Sequence, residues 1–468
     1  MRLTVDNMLR IEGCPDPLRR RLCGLAQAAN PVFQSALRVG RSPGDAPETI
    51  RLWREEAGVL VLPRGLTEAA RQEALRIREP VEIEDRRQVL PSIELRFRGD
   101  LRPYQERALA ALCRFGSGIL AAPCGSGKTA ALAALIAARR QPALVLAHTV
   151  DLARQLREDL SEWLGTGVGL LGGGVFSPTG RVDVGVLQSF FSEERRSEAS
   201  GRYGLLAVDE CHHTPARCFC EVVQAFPAVF RYGLSATPER GDGLTRLLAA
   251  VLGHVRHVVR AAELEEAGVR VRPTLRWAQG IQVPEWLGPE NWAELVGFLA
   301  KSPERLRIVA DIASGLVREG HSVLALLPRV EAAEAAAALL TAEGVPAEVV
   351  HGGVPRKERA SRLDRVRSGA ARVLCAVLIA DEGLDLPGLS AVVLAAPSRS
   401  ATKGVQRTGR ALRPVEGKQD PVICDLVDDS PILRAQARDR FFKVHRLTCE
   451  GAQLPEWLER SARRFPEG

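Results

Sequence analysis

The stretch AAPCGSGKT, Ala121 to Thr129, decides how the rest of the chain is read. A short apolar run, Ile119 to Ala122, enters it, and an alanine-rich helical pattern, Thr129 to Arg139, leaves it. A strand that passes through a glycine turn into a helix gathers backbone N–H groups and the positive end of the helix dipole at one point, which suits phosphate oxygens. Gly125 and Gly127 let the backbone turn inward, with Ser126 between them. Lys128 can then reach the outer phosphates of a nucleotide, and the Thr129 hydroxyl can ligate Mg²⁺. Ala122 stands where the usual GxxxxGK[ST] pattern has its first glycine. Lys128 is the single lysine in the first 300 residues, amid many arginines, so the position calls for a compact ammonium rather than a guanidinium.

Two further strings gain meaning from that loop. LLAVDECHH, Leu205 to His213, is an apolar strand ending in adjacent carboxylates. Alone it reads as a solvated loop start. With a phosphate loop upstream, Asp209 can hold Mg²⁺ through water and Glu210 can polarise an attacking water. GVQRTGRALRP, Gly404 to Pro414, spaces three arginines so that a helix would present them on neighbouring turns. A solvated basic face is the alternative. Because the second half of the chain has no phosphate loop of its own, arginines aimed at the first half's nucleotide would make hydrolysis depend on both halves.

From about residue 100, aliphatic runs alternate with helical patterns in two series, which predicts parallel sheets wrapped by helices. Strands are expected at Ile119 to Ala122, Ala143 to Ala147, Val182 to Leu187, Leu205 to Val208 and Tyr232 to Ser235. The second series covers Ser322 to Leu327, Ala347 to Val350, Arg372 to Val377, Ala391 to Ala395 and Val422 to Leu426. Pro273, Pro284 and Pro289 interrupt the stretch between the series, and the hinge is placed there. The expected organisation is an N-terminal accessory module over 1–95, a first domain over 96–265 and a linker over 266–300. A second domain follows over 301–430 and a helical tail over 431–468. The accessory module reads as α+β, with a turn at Pro63 to Gly65 and a helix from Thr67 to Arg78; packing or docking fits it equally.

At 468 residues the chain exceeds one compact core, and 46% hydrophobic with 26% charged residues excludes disordered and collagen-like classes. No apolar run approaches the ~20 residues of a membrane span, and no secretory leader is visible, so a cytoplasmic location without membrane contact is expected. Ten scattered cysteines read as reduced thiols. Cys211, His212, His213, Cys218 and Cys220 cluster, but not at a usual zinc spacing. The net charge of +7 is spread along the chain and permits a polyanionic partner. Only 5% of residues are aromatic, which argues against a long base-stacking platform.

Taken in order, the strings from Leu101 to about Asp428 resemble superfamily 2 helicases and translocases of the DExH branch, which includes XPB-like, UvsW-like and restriction-motor proteins. LRPYQ resembles the adenine-side motif, implying Gln105 and Arg102 near the base. AHTVDLARQ, Ala147 to Gln155, and VLQS, Val186 to Ser189, resemble backbone-contacting motifs, with Val186 where the family usually has Thr. DECH resembles motif II, and SATP, Ser235 to Pro238, resembles motif III, implying that His212, Ser235 and Thr237 couple hydrolysis to strand movement. HGG, His351 to Gly353, with the basic run Arg356 to Arg359 resembles motif IVa. DEGLDLP resembles motif V, implying Gly383 and Asp385 near ribose and attacking water. QRTGRALR resembles motif VI, implying Gln406 near the γ-phosphate and Arg410 and Arg413 as arginine fingers. The N-terminal NPVFQ and PRG strings resemble the leading module of UvsW-like helicases.

The resemblance implies two tandem RecA-like parallel-sheet domains preceded by a small α+β module. It implies ATP and Mg²⁺ as cofactors and motion along DNA, whether duplex, forked or single-stranded. A duplex translocase without strand separation, an ATP-gated clamp and an RNA helicase are the competing readings. Any cutting would come from a nuclease or a repair or defence partner, since no nuclease signature is visible.

Overall fold

The structure, a computed structural model, describes residues 1–38, 42–123, 125–211, 216–236, 244–269, 271–377, 388–397, 420–446, 449 and 451–459. The chain divides into two compact units, Met1–Arg260 and Ala261–Gly468.

The first unit is built on a seven-stranded sheet, all parallel. Its order is Gly169–Leu171, Val182–Val186, Ala143–Ala147, Leu205–Val208, Phe230–Ser235, Ser117–Ala121 and Val255–Val258. Ala143–Ala147 and Leu205–Val208 are buried throughout, as expected of aliphatic strands covered on both faces. The helix Lys128–Arg139 follows the Ser117–Ala121 strand, and a run from Ala130 to Ile136 is buried along it. The helix Val150–Leu164 buries Ala153, Leu156, Leu160 and Leu164, one face at the helical period. The two edge strands are additions to the expected set. Gly169–Leu171 is too short, and Val255–Val258 too exposed, to announce itself by hydrophobicity.

The N-terminal module forms a five-stranded mixed sheet in the order Arg54–Glu56, Val59–Pro63, Met8–Glu12, Arg2–Val5 and Glu82–Asp85. Leu3, Leu9, Ile11, Leu60 and Leu62 meet Leu18 and Leu22 from the helix Asp16–Leu25 and Ala70 and Ala74 from the helix Thr67–Arg76. Ala250, from the helix Thr245–Leu252, joins the same core, so the module packs into the first unit. The Pro63–Gly65 turn makes that junction. A Cβ on Gly65 would lie 2.4 Å from the Ala250 carbonyl oxygen, so only glycine admits this approach. Arg64 donates to the Ala228 carbonyl at 2.7 Å, and Arg231 donates to the Asn7 carbonyl at 3.3 Å.

The second unit carries a six-stranded, all-parallel sheet. Its order is Thr274–Gln282, Val422–Asp429, Ala391–Leu394, Val323–Leu327, Val373–Val377 and Ala347–Val350. Within the expected 266–300 linker therefore lie an edge strand of this sheet and most of the helix Trp292–Lys301. Pro273 and Pro284 bracket the strand instead of breaking it, a place where proline costs no ladder hydrogen bond. Beyond Asp429 the helix Pro431–Arg440 is anchored by Arg440, whose Nε and Nη2 reach the buried Asp425 carboxylate at 2.9 and 2.6 Å.

Candidate nucleotide site and nucleic-acid surface

The phosphate-type loop leaves the sheet at Ala122, whose N–H donates to the Ser235 carbonyl at 2.9 Å and so fastens the loop to the neighbouring strand end. Gly125 and Gly127 adopt left-handed φ of 83° and 72°. At Gly127 the space is closed as well, because a Cβ there would stand 2.4 Å from Gln105 Nε2. The helix begins at Lys128, and Thr129 lies in its first turn. The Ser126 hydroxyl is buried without a hydrogen-bond partner among the described residues. A buried hydroxyl on a glycine turn before a helix suits an anion, and these residues fit a nucleotide phosphate.

Gln105 and Arg102, expected beside the base, stand against this loop. Gln105 Oε1 accepts from the Arg102 backbone N–H at 2.9 Å, while its Nε2 donates to the Ser126 carbonyl at 2.9 Å. Tyr104 OH donates to the same carbonyl at 3.0 Å. The amide therefore closes the cap of the helix Pro103–Cys113 and braces the phosphate loop in one contact set.

The carboxylates of DECH complete the site. Asp209 N–H donates to the Leu146 carbonyl at 2.9 Å, which places its side chain at the carboxyl end of the sheet, where α/β folds bind ligands. Burial, reinforced by the charge of Glu210 and opposed by Lys128, pushes the Asp209 carboxyl up to about 6. A cation would relieve that penalty, and Asp209 with Thr129 is a hard-oxygen pair that fits Mg²⁺. Glu210 Oε1 accepts from Lys128 Nζ at 2.8 Å, and its Oε2 accepts from the Ala236 backbone N–H at 3.4 Å. One carboxylate thus joins the phosphate loop to SATP. Ser235 is fully buried, with its carbonyl on Ala122 N–H. His212 and Thr237 lie outside the described residues.

Among the described residues no group of three His, Cys, Asp or Glu side chains could hold a metal ion. Of the clustered cysteines and histidines, Cys211 and Cys220 are core residues, and burial drives the Cys211 thiol far up from its ordinary range. His212, His213 and the Cys218 side chain lie outside the described residues.

A second surface forms at the carboxyl ends of Ala143–Ala147, Gly169–Leu171 and Val182–Val186. Thr149 caps the helix Val150–Leu164 by accepting from Leu152 N–H at 3.2 Å, and Gln188 Nε2 donates to the His148 carbonyl at 2.9 Å. Gly173 stands against that helix start, where a Cβ would be 3.1 Å from Val150 Cγ1. A Cβ on Gly172 would be 2.4 Å from Val186 Cγ2. AHTVDLARQ and VLQS therefore meet across a glycine turn, Gly172 to Gly174, that sequence reasoning missed. Its signal was the GGG string itself.

In the second unit, His351 Nδ1 accepts from Gly353 N–H at 3.1 Å. Arg359 donates to the His351 and Val354 carbonyls, which ties HGG to the start of the helix Arg356–Arg367. Gly383, Asp385, Gln406, Arg410 and Arg413 lie outside the described residues.

Residues 98–240 match the family described as "Type III restriction enzyme, res subunit", and residues 304–415 match "Helicase conserved C-terminal domain". The chain is 27% identical over 346 residues to "Putative helicase 22" of Sulfolobus islandicus filamentous virus, across 67% of this chain and 60% of that protein. It is 26% identical over 350 residues to "DNA 3'-5' translocase XPB2" of Sulfurisphaera tokodaii, across 67% of this chain and 79% of that protein. Among solved structures, the ATP-dependent Type ISP restriction-modification enzyme LlaBIII bound to DNA aligns with a TM-score of 0.57 at 16% identity. That alignment covers 82% of this chain and 33% of that one, a likeness of fold alone. No helix among the described residues is long and apolar enough to cross a membrane.

Proposed function

We propose, from the premise that the chain belongs to the superfamily 2 helicases and translocases, that it is an ATP-dependent motor moving along DNA. The observation that carries the reading is the contact path from Lys128 through Glu210 to Ala236. On this reading Lys128 gives up Glu210 for the β- and γ-phosphates, and Glu210 turns to orient the attacking water. Because its other oxygen already touches the backbone of SATP, the same turn is felt by Ser235 and Thr237. Mg²⁺, when bound by Asp209 and Thr129, would neutralise developing phosphate charge.

The remaining roles rest on the resemblance. Arg102 and Gln105 serve the adenine side, Gln105 also bracing the phosphate loop. Gly383 and Asp385 serve ribose and water, and Gln406, Arg410 and Arg413 bring charge to the γ-phosphate from the second domain. The domain reading is 96–265 and 301–430 as RecA-like domains, with 1–95 accessory and 431–468 as tail; 266–300 connects them by sequence and adds the edge strand Thr274–Gln282 to the second sheet. The helix cap at Thr149, the Gly172 to Gly174 turn and Ser189 form a surface for phosphates of the nucleic-acid backbone, which give affinity without sequence preference and a steep salt dependence.

DNA is favoured over RNA by the XPB2 relative, a DNA translocase by its name. A nuclease or a repair or defence partner is part of the reading, as is a cytoplasmic setting suited to free cysteines such as the buried Cys375 and Cys424. ATP turnover and strand displacement should be measured with blunt duplex, forked and single-stranded DNA and with RNA. Displacement at a fork supports a helicase, stimulation by blunt duplex alone a translocase, and RNA-only stimulation an RNA helicase. Turnover indifferent to nucleic acid would leave a clamp.

A further inference from the structure

The strand Ser117–Ala121 delivers the phosphate loop at its carboxyl end. At its amino end, where Gly116 and Ser117 meet the N-terminal module, lies a cavity of about 430 Å³. That volume is within the range of roughly 300–1,000 Å³ usual for small-ligand sites. Arg64, Arg71, Arg87 and Arg256 line it together with Glu68 and Asp85.

Two of these arginines are answered by the two acids. Arg87 pairs with Asp85 at 2.5 Å, and Arg256 pairs with Glu68 at 2.7 Å while lying 3.8 Å over the Phe115 ring. Arg64 and Arg71 form no ion pair among the described residues, and with four arginines against two acids the lining carries an excess of positive charge. Arg64 is only 4% exposed. Its Nη1 donates to the Asp6 and Ala228 carbonyls, whereas its Nη2 is buried with no partner among the described residues. Burial, with Arg231 and Arg87 nearby and Asp85 and Asp6 opposing them, holds this guanidinium well below its ordinary range. Arg231 cannot compensate it, being itself a fully buried cation whose partners are carbonyls. Buried cations without a direct ion pair are costly, and an anion nearby offsets that cost. The ten-residue helix Thr67–Arg76 starts at the same cavity, contributing Thr67 and Glu68 to its lining and directing its positive dipole end there.

We propose that this cavity binds a phosphate-bearing ligand, held by the guanidinium group of Arg71 and by the first turn of the helix Thr67–Arg76, with the buried charge of Arg64 behind them. A terminal phosphate of DNA and a free polyphosphate share the chemistry it recognises. Because Arg64 also joins the module to the first sheet, the ligand stiffens that junction. None of these residues belongs to the nucleotide site, so the proposal stands apart from the motor reading.

The test uses the full chain carrying Lys128→Ala, in which the phosphate loop is disabled. The protein is titrated by calorimetry with inorganic pyrophosphate and, separately, with 5′-phosphorylated and 5′-hydroxyl oligonucleotides of one sequence. The expected result is saturable binding of pyrophosphate, or preference for the 5′-phosphorylated strand, weakened about tenfold or more by Arg71→Glu. Arg71 is exposed, and Arg71→Glu in the otherwise native chain should leave melting temperature and ATP turnover unchanged. Pyrophosphate binding identifies a free ligand, and a 5′-phosphate preference identifies a DNA end. Equal binding by the Arg71→Glu protein, or binding of neither probe, overturns the proposal.

Discussion

Lys128 Nζ and Glu210 Oε1 form an ion pair of 2.8 Å, and Glu210 holds its place in it with a left-handed φ of 45°. A non-glycine residue there costs on the order of 1–3 kcal/mol, a strain that persists where surrounding contacts over-determine the geometry. Lys128 on one oxygen and Ala236 N–H on the other contribute to that here. Each half of the pair should therefore fail differently. Lys128→Ala should abolish nucleotide binding and turnover together. Glu210→Gln should keep nucleotide binding, measured by calorimetry, while lowering turnover by about 10²-fold or more. Equal turnover in Glu210→Gln would remove the water-orienting role.

Gln105 predicts a second split. Its side chain satisfies the Ser126 carbonyl and the Arg102 N–H at once, so Gln105→Ala leaves two polar groups without it. Unpaired buried groups cost about 1–3 kcal/mol each, although Tyr104 OH still serves the carbonyl. Gln105→Ala should lower the melting temperature and raise the KM for ATP more than it lowers kcat. Gly127→Ala should be worse on both counts, since it adds a Cβ against Gln105 to a residue at φ 72°. A pure loss of adenine specificity, without a change in melting, would show that the bracing role is absent.

Much of this site was legible because its chemistry is local. Strand, glycine turn and helix are contiguous between Ser117 and Arg139, and LLAVDE marks its own strand by being apolar to the last residue before the carboxylates. What stayed hidden depends on distant partners. Nothing around Thr274 to Gln282 says that Val422–Asp429 will pair with it, and its exposed alternate residues dilute the strand signal. Gly65 looks like an ordinary turn glycine until Ala250 closes on it, and Arg64 like a surface arginine until it proves buried. The Gly172 to Gly174 turn carries no side chains to betray a role.

Arg410 is assigned as a finger on resemblance, and its test is kinetic. Arg410→Ala should retain nucleotide affinity and lower hydrolysis by about 10³-fold or more. Single-turnover measurement at saturating ATP separates that outcome from weakened binding. Full activity would return QRTGRALR to a solvated basic face.

His321 supplies a pH dependence in the second unit. It is 4% exposed, with Nδ1 3.0 Å from Ser390 Oγ, and burial holds its imidazole below the ordinary 6.5. Glu319 opposes the shift, while Arg276 and Arg372 add to it. The folded chain thus keeps a neutral ring where the unfolded chain takes up a proton, so stability is full above about 6.5 and declines as pH falls through it. Thermal melts between about pH 7 and pH 5 should show this decline, and His321→Gln should flatten it. An unchanged slope in the variant would place the pH dependence elsewhere.

Arg305 and Asp428 make the sharpest stability prediction. Arg305 is 1% exposed, its Nε lies 2.9 Å from one Asp428 oxygen, and its Nη2 donates to the Ala395 carbonyl at 2.5 Å. Asp428 in turn accepts from Ile281 N–H at 3.2 Å, so the pair stitches the Thr274–Gln282 edge strand to the end of Ala391–Leu394. Removing one member strands a buried charge, and Arg305→Met alone should cost about 3–5 kcal/mol in chemical unfolding. Adding Asp428→Asn removes the stranded charge while leaving an oxygen for Ile281, and should recover about 2 kcal/mol of that loss. Ala395 leads by sequence toward 398–419, the stretch that holds QRTGRALR, so ATP turnover should fall in Arg305→Met and partly return in the double variant. If the double variant were no more stable than the single one, the pair would be contributing through packing of the arginine stem rather than through charge.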